Sequence, residues 1–258
     1  VGEEASAHHR RGGVLMRTLA ARVDQRDPSR LKATEKRRAS EAVKDLNTAL
    51  QSVVERVAYG NITDPKQLQE VVDEELERYE SLASNKHDAW LMDTVRRSIL
   101  FSEQLLKTAG VKAVAAGLGP RGIPQKLSDA LVINVHNQIG SLTASVKAKV
   151  SAALIEGVEA GEGARPLAKR VSEATGMERS RAELIARTET MRAYNEVSQD
   201  QFERYGIEKV EWLAAMDERT CPVCGAHHGQ RYPINDHPEI PAHPNCRCIL
   251  IPVIEEAA

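Results

Sequence analysis

Residues Cys221 to Cys248 read CPVCGAHHGQRYPINDHPEIPAHPNCRC and hold all four cysteines of the chain. The cysteines fall into two pairs, Cys221/Cys224 and Cys246/Cys248, with His243 three positions ahead of the second pair. Thiolates and an imidazole are the soft and borderline donors that a tetrahedral zinc ion takes. Five candidates, Cys221, Cys224, His243, Cys246 and Cys248, therefore compete for four places. Cys221 and Cys224 form the firm pair, on a turn that Gly225 is expected to let fold back. An extended run from Cys246 to Ile251 would point Cys246 and Cys248 to one face of a strand. That favours four cysteines, with a Cys3His set as the alternative. A site filled entirely by protein has no open position for water, so a zinc here is expected to be structural. Two disulfides, or a redox-active Cys-x-x-Cys, are weaker readings. No βαβ pattern surrounds the pair, and nothing in the sequence points to an oxidising compartment.

The flanks of this stretch read as strands. Val210, Trp212, Ala214 and Met216 alternate with other residues, and Ile249–Ile251 with Val253–Ile254 form a closing apolar run. A small sheet of two or three strands is expected, clamped by the metal against a helix over Glu178–Tyr205. So few apolar residues do not fold alone, and metal binding of order 10 kcal/mol or more would supply the deficit.

Upstream, the chain reads as helical. Asp27-Pro28 and Asp64-Pro65 are both start signals, an acceptor at the cap followed by proline in the first turn, with Gln67 placed to complete a capping box. Val43, Leu46, Leu50, Val53 and Val57 form the first stripe, ended by Gly60-Asn61. Leu68, Val72, Leu76, Tyr79 and Leu82 form the second, and a separate third helix is expected from about His87 to Ala109. Gly117–Pro124 (GLGPRGIP) is a break. Beyond it Leu127, Leu131, Val135, Ile139, Leu142, Val146, Val150, Leu154 and Val158 recur at steps of three or four, mostly four. One helix over that run would be roughly 48 Å long. Steps of four overshoot the helical repeat, so the stripe winds. The helix is expected either to bend near Gly140 or to pack its ends on different partners. Gly161 and Gly163 end it, and a short basic helix precedes Gly176.

The expected architecture is mainly α, an elongated helical body with a small C-terminal β element clamped by a zinc-type Cys/His site. It divides into a flexible basic arm (1–26), an N-terminal helical region (27–120), a long-helix region (121–206) and a small metal-stabilised β module (207–258). Net charge is −2 over 258 residues, yet it is unevenly placed. Arg10–Lys44 carries eleven Lys/Arg against four Asp/Glu, and Glu211–Ala258 three against seven. In the arm, Arg10, Arg11, Arg17, Arg22 and Arg26 are candidates to contact DNA phosphate or an acidic protein surface. Two Phe and two Trp are too few for a large β-sandwich core. No apolar run approaches eighteen residues and no charged-then-apolar leader follows Val1, so neither a membrane span nor export is expected.

Several spaced residue types carry a further reading. They are Ala186-Arg187-Thr188-Glu189-Thr190, Ala193-Tyr194-Asn195, Glu211-Trp212 and Asp217-Glu218-Arg219-Thr220-Cys221-Pro222-x-Cys224, then Gly229, Tyr232-Pro233 and Pro241-Ala242-His243-Pro244-Asn245-Cys246-Arg247-Cys248. In this order, over roughly Gln125–Ile251, they resemble the phage Mu F-like minor head proteins, or phage head morphogenesis proteins, of tailed bacteriophages and prophages. The resemblance implies a structural minor capsid protein, not an enzyme. It would lie inside the head near the portal, after assembly in the host cytoplasm. Portal protein and major capsid or scaffolding proteins would be its partners, with a part in capsid assembly and in DNA packaging or delivery.

Two other classes compete. A metal-dependent nuclease or toxin-like module would use Asp236, His237 and His243, but needs an open metal position and a general base. Here those histidines sit in a Pro-rich loop whose plainer role is to shape the metal site. A non-specific DNA-binding protein would rest on the basic arm. Specific groove reading is disfavoured, because the cysteine region is acidic and no basic helix follows it.

Overall fold

The structure, a computed structural model, describes residues 30–108, 111 and 123–254. Five long helices come first: α1 (Lys32–Tyr59), α2 (Pro65–Thr108), α3 (Gln125–Glu159), α4 (Ala164–Ala174) and α5 (Gly176–Arg204). Then follow β1 (Lys209–Leu213), a short helix α6 (Pro222–His227), β2 (Arg231–Pro233) and β3 (Ile249–Val253). The chain is thus mainly helical with a small C-terminal sheet, as its patterning indicates. The arm with Arg10, Arg11, Arg17, Arg22 and Arg26, and the Asp27-Pro28 start signal, lie outside the described residues. No helix among those described is long and apolar enough to cross a membrane.

Local chemistry explains most helix ends. Asp64 accepts hydrogen bonds from the Lys66 and Gln67 amides at 2.7 and 3.1 Å, capping α2 with Pro65 in its first turn. Three helices stop in one way. An amide bonds back five residues, Ile62 to Val57, Glu162 to Gly157 and Ile207 to Phe202, at 3.2, 2.9 and 3.0 Å. The residue just before each of these amides, Asn61, Gly161 or Gly206, is left-handed, with φ of 49°, 69° and 73°. This pattern satisfies carbonyls that the helix end would orphan, and it selects glycine or asparagine.

One expectation changes. No separate helix begins at His87, since α2 runs unbroken through Ala83-Ser84-Asn85-Lys86. That stretch has neither glycine nor proline, and His87 Nδ1 lies 2.8 Å from the Ala83 carbonyl one turn back. The hydrogen-bonded run of α3 is likewise continuous through Gly140.

The chain forms two compact units that are not consecutive segments. One comprises residues 35–90 and 129–187. Its core draws on α1 (Leu46, Leu50, Val53), the first part of α2 (Leu68, Val72, Leu76), α3, α4 (Leu167, Val171) and the start of α5 (Ile185, Ala186). The winding stripe of α3 from Val135 to Leu154 is buried in this one cluster, which surrounds it with several neighbours. The partly buried ion pair Lys149–Glu178 (2.6 Å) and the pair Arg56–Glu75 (2.8 Å) tie helices at its edge.

The other unit comprises, among the described residues, 30–34, 91–108, 111, 123–128 and 188–254. Its sheet has the order β2-β1-β3, antiparallel throughout. β1 is central, and Trp212 pairs with Leu250 while Val210 faces both Tyr232 and Pro252. Pro252 is tolerated because β3 is an edge strand. Both faces of β1 are buried, so the alternation read in the sequence does not mark a solvated face. Its Glu211 sits across from Arg231, with which it forms a 3.3 Å ion pair. Phe101, Leu105 and Leu106 of α2 and Met191, Tyr194 and Phe202 of α5 complete the core with Trp212 and β3.

The asparagine stop of α1 gives a direct check. Asn61→Gly should leave stability unchanged or slightly raised, whereas Asn61→Val should cost about 1–2 kcal/mol, because a β-branched residue resists positive φ. Urea unfolding followed by circular dichroism reads both.

Candidate metal centre

The site begins with two local devices. Cys221 is the N-cap of α6, its sulfur accepting from the Cys224 amide at 3.3 Å, and Pro222 opens the helix. One turn of helix thus brings the Cys-x-x-Cys sulfurs together. Gly225 does not provide the fold-back expected of it. It lies inside α6, and the left-handed residue comes later, at Gly229, with φ 76°. The second device is His243-Pro244-Asn245-Cys246. The Cys246 amide bonds the His243 carbonyl at 3.1 Å, and Asn245 has φ 62°. Proline second and a left-handed asparagine third make a type II turn, which brings His243 and Cys246 to one side.

The two devices meet. His243 Nε2 lies 3.2 Å from Cys221 Sγ and 3.1 Å from Cys224 Sγ, and Cys224 Sγ lies 3.8 Å from Cys246 Sγ. Among the described residues, Cys221, Cys224 and His243 form one metal-capable group, and Cys224, Cys246 and Cys248 a second that shares Cys224. Donor atoms within each group are no more than 4.8 Å apart. All five candidate ligands therefore converge, although Cys246–Cys248 precede β3 and do not begin it. All four cysteines are free thiols.

The donor chemistry fits a cation. His243 Nδ1 lies 2.7 Å from the Pro244 carbonyl, which can only accept, so Nδ1 carries the proton. Nε2 is then free to face the sulfurs with its lone pair, the arrangement that metal-binding histidines use. Burial lowers the His243 imidazole, but the Pro244 carbonyl and the sulfurs of Cys246 and Cys221 outweigh it and raise the group overall. The site thus draws positive charge. A hydrogen bond from Cys248 pulls the Cys246 thiol down to about 5. The Cys224 amide lowers Cys221. Burial pushes Cys224 up to about 12, and the hydrogen bond with Cys246 raises Cys248 further. Buried thiols so close cannot all ionise without a compensating charge. These groups can hold a metal ion.

Three side chains hold the loop that presents these donors. Thr188 Oγ1 of α5 accepts from the Asn245 amide at 3.2 Å, fixing the turn. Asn195, about two turns further along α5 and fully buried, donates to the Cys248 carbonyl at 3.1 Å and accepts from the Leu250 amide at 3.2 Å. Its amide thus stands in for a neighbouring strand along the open edge of β3. Arg247, between the two cysteines, forms a bidentate pair with Asp217 at 2.5 and 2.6 Å. Asp217 also accepts from the Arg219 amide, and the nearly buried pair holds its carboxyl well below the usual range. Sequence patterning alone gave none of these roles, because the partners lie 30 to 57 residues apart.

Residues 148–251 match the family described as Phage Mu protein F like protein. This segment is Mu F-like. It contains every side chain of the metal centre and its supports. The chain is also 27% identical over 158 residues to an uncharacterized protein of Haemophilus influenzae, a match spanning 60% of this chain and 35% of that protein. The chain thus covers about a third of the length of that relative. No solved structure matches. Within the Mu F-like segment, Asp236 and His237 join neither metal-capable group. His237 is turned to α5, with Nε2 3.1 Å from Gln199 Oε1.

Asn195→Leu should destabilise this unit by about 2–4 kcal/mol, because it leaves a buried carbonyl and a buried amide without partners. Asp217→Asn should also weaken the unit at neutral pH. The folded pKa of Asp217 lies below its unfolded value, so the pair's contribution is present above about pH 4 and fades as the pH falls further. The stability gap between wild type and Asp217→Asn should therefore narrow on acidification, as read by denaturant titrations at pH 7 and pH 3.

Proposed function

We propose that this chain is a structural head protein of a tailed bacteriophage or prophage, whose C-terminal sheet and Cys/His loop are clamped by zinc. The observation that carries this reading is the Mu F-like match over residues 148–251, a family that points to phage head morphogenesis. The geometry supports a structural part. Thr188, Asn195, Asp217 and Arg247 are all engaged in holding the Cys/His loop in place. With four protein ligands the ion would stabilise the fold and carry no chemistry. Zinc suits a set of thiolates and an imidazole better than calcium or magnesium, which prefer oxygen.

The protein would sit inside the capsid near the portal, bound to portal protein and to major capsid or scaffolding proteins during assembly. It would aid DNA packaging or delivery. Arg10, Arg11, Arg17, Arg22 and Arg26 would contact packaged DNA or an acidic portal surface through non-specific electrostatics.

The test is to express the full chain with the head proteins of its phage and fractionate the products by sedimentation. The chain should travel with assembled heads, and purified portal protein should retain it. A chain that never enters heads and does not bind portal would overturn the reading. Metal-dependent cleavage of DNA that is lost in Asp236→Ala and His237→Ala variants would favour a nuclease instead.

A further inference from the structure

Five donors converge where a tetrahedral ion takes four, and the backbone around them separates the five. His243 Nε2 stands within 3.2 Å of both Cys-x-x-Cys sulfurs. Its proton is fixed on Nδ1 by the Pro244 carbonyl. An ion held by Cys221 and Cys224 therefore meets this nitrogen. The type II turn joins His243 directly to Cys246, and Thr188 pins that turn from α5. Cys246 Sγ is 3.8 Å from Cys224 Sγ. Two sulfurs each about 2.3 Å from a tetrahedral zinc lie about 3.8 Å apart. The Cys248 sulfur lies within 4.8 Å of the Cys224 and Cys246 sulfurs and is as buried as they are, but its backbone is held differently. Its carbonyl is taken by Asn195, which fixes this residue as the lead-in to the edge of β3, outside the turn that joins His243 to Cys246.

We infer that Cys221, Cys224, His243 and Cys246 are the four ligands, and that the Cys248 thiol stays outside the coordination sphere as a buried hydrogen-bond donor to the ligand sulfurs. This rests on the metal reading above and narrows it to a Cys3His site. It reverses the preference for four cysteines that an extended Cys246–Ile251 would give. Partners beyond the ligands that hydrogen-bond to a ligand tune how strongly it holds the metal. A thiol beside a zinc thiolate is such a partner.

The full chain, purified reduced and loaded with zinc alone, is examined by X-ray absorption at the zinc edge. Three sulfurs and one nitrogen per zinc are expected, and four sulfurs would overturn the assignment. In parallel, Cys248→Ser and Cys248→Ala should keep one zinc per chain with affinity weakened about 10-fold, in line with loss of a supporting partner. Cys246→Ser and His243→Ala should lose stoichiometric binding. Cys248 variants that fold, by the circular dichroism of the helices, yet bind no zinc would also overturn the assignment. If the wild-type chain itself takes up no zinc, the underlying metal reading fails, an outcome distinct from four-sulfur coordination.

Discussion

An edge strand needs partners for the backbone groups on its open side. In this chain a single buried amide supplies them for β3. Asn195 reaches from α5 to the Cys248 carbonyl and the Leu250 amide, doing for two groups what another strand would do. The fixed edge then sets where Cys246 and Cys248 emerge. Arg247 between them is turned to Asp217, which in turn shapes the approach to Cys221. From one helix side chain the constraint passes through strand and ion pair to both halves of the Cys/His cluster.

The cluster poses an electrostatic problem. Cys224, Cys246 and Cys248 are buried. Hydrogen bonds and burial push their thiols in opposite directions, with Cys246 down and Cys224 and Cys248 up. Sharing protons among them leaves ionised sulfur in a low-dielectric setting. A divalent cation would neutralise that charge while also fixing the loop. Beside a sheet with strands of only five, three and five residues, such a clamp would add to what packing against α2 and α5 supplies.

Short-range chemistry was legible in the sequence. The Asp64-Pro65 start, the stops at Asn61 and Gly161 and the convergence of Cys221, Cys224, His243, Cys246 and Cys248 all follow from residue types at fixed offsets. What spacing did not show depends on distance along the chain or on a signal that is missing. The α2 helix passes Ala83-Ser84-Asn85-Lys86 because nothing there stops it, and an apolar stripe that shifts face at that point imitates a break. Gly225 looked like a hinge by its place after Cys224, but Cys221 capping α6 does that work and Gly229 takes the left-handed conformation. Thr188, Asn195 and Asp217 could be noticed through the family resemblance. Their roles needed partners up to 57 residues away to be brought into view.

The Mu F-like segment reads as a device for holding a loop, with Thr188, Asn195 and the Asp217–Arg247 pair turned onto that loop. A metal ion would complete this hold. Hydrogen exchange of the full chain before and after a strong chelator tests it most directly, because the helical unit of α1 and α3 serves as an internal reference. Chelation should strip protection from β1, β3 and the 221–248 loop while the amides of α1 and α3 keep theirs. Equal protection of the sheet with and without chelator would contradict the account.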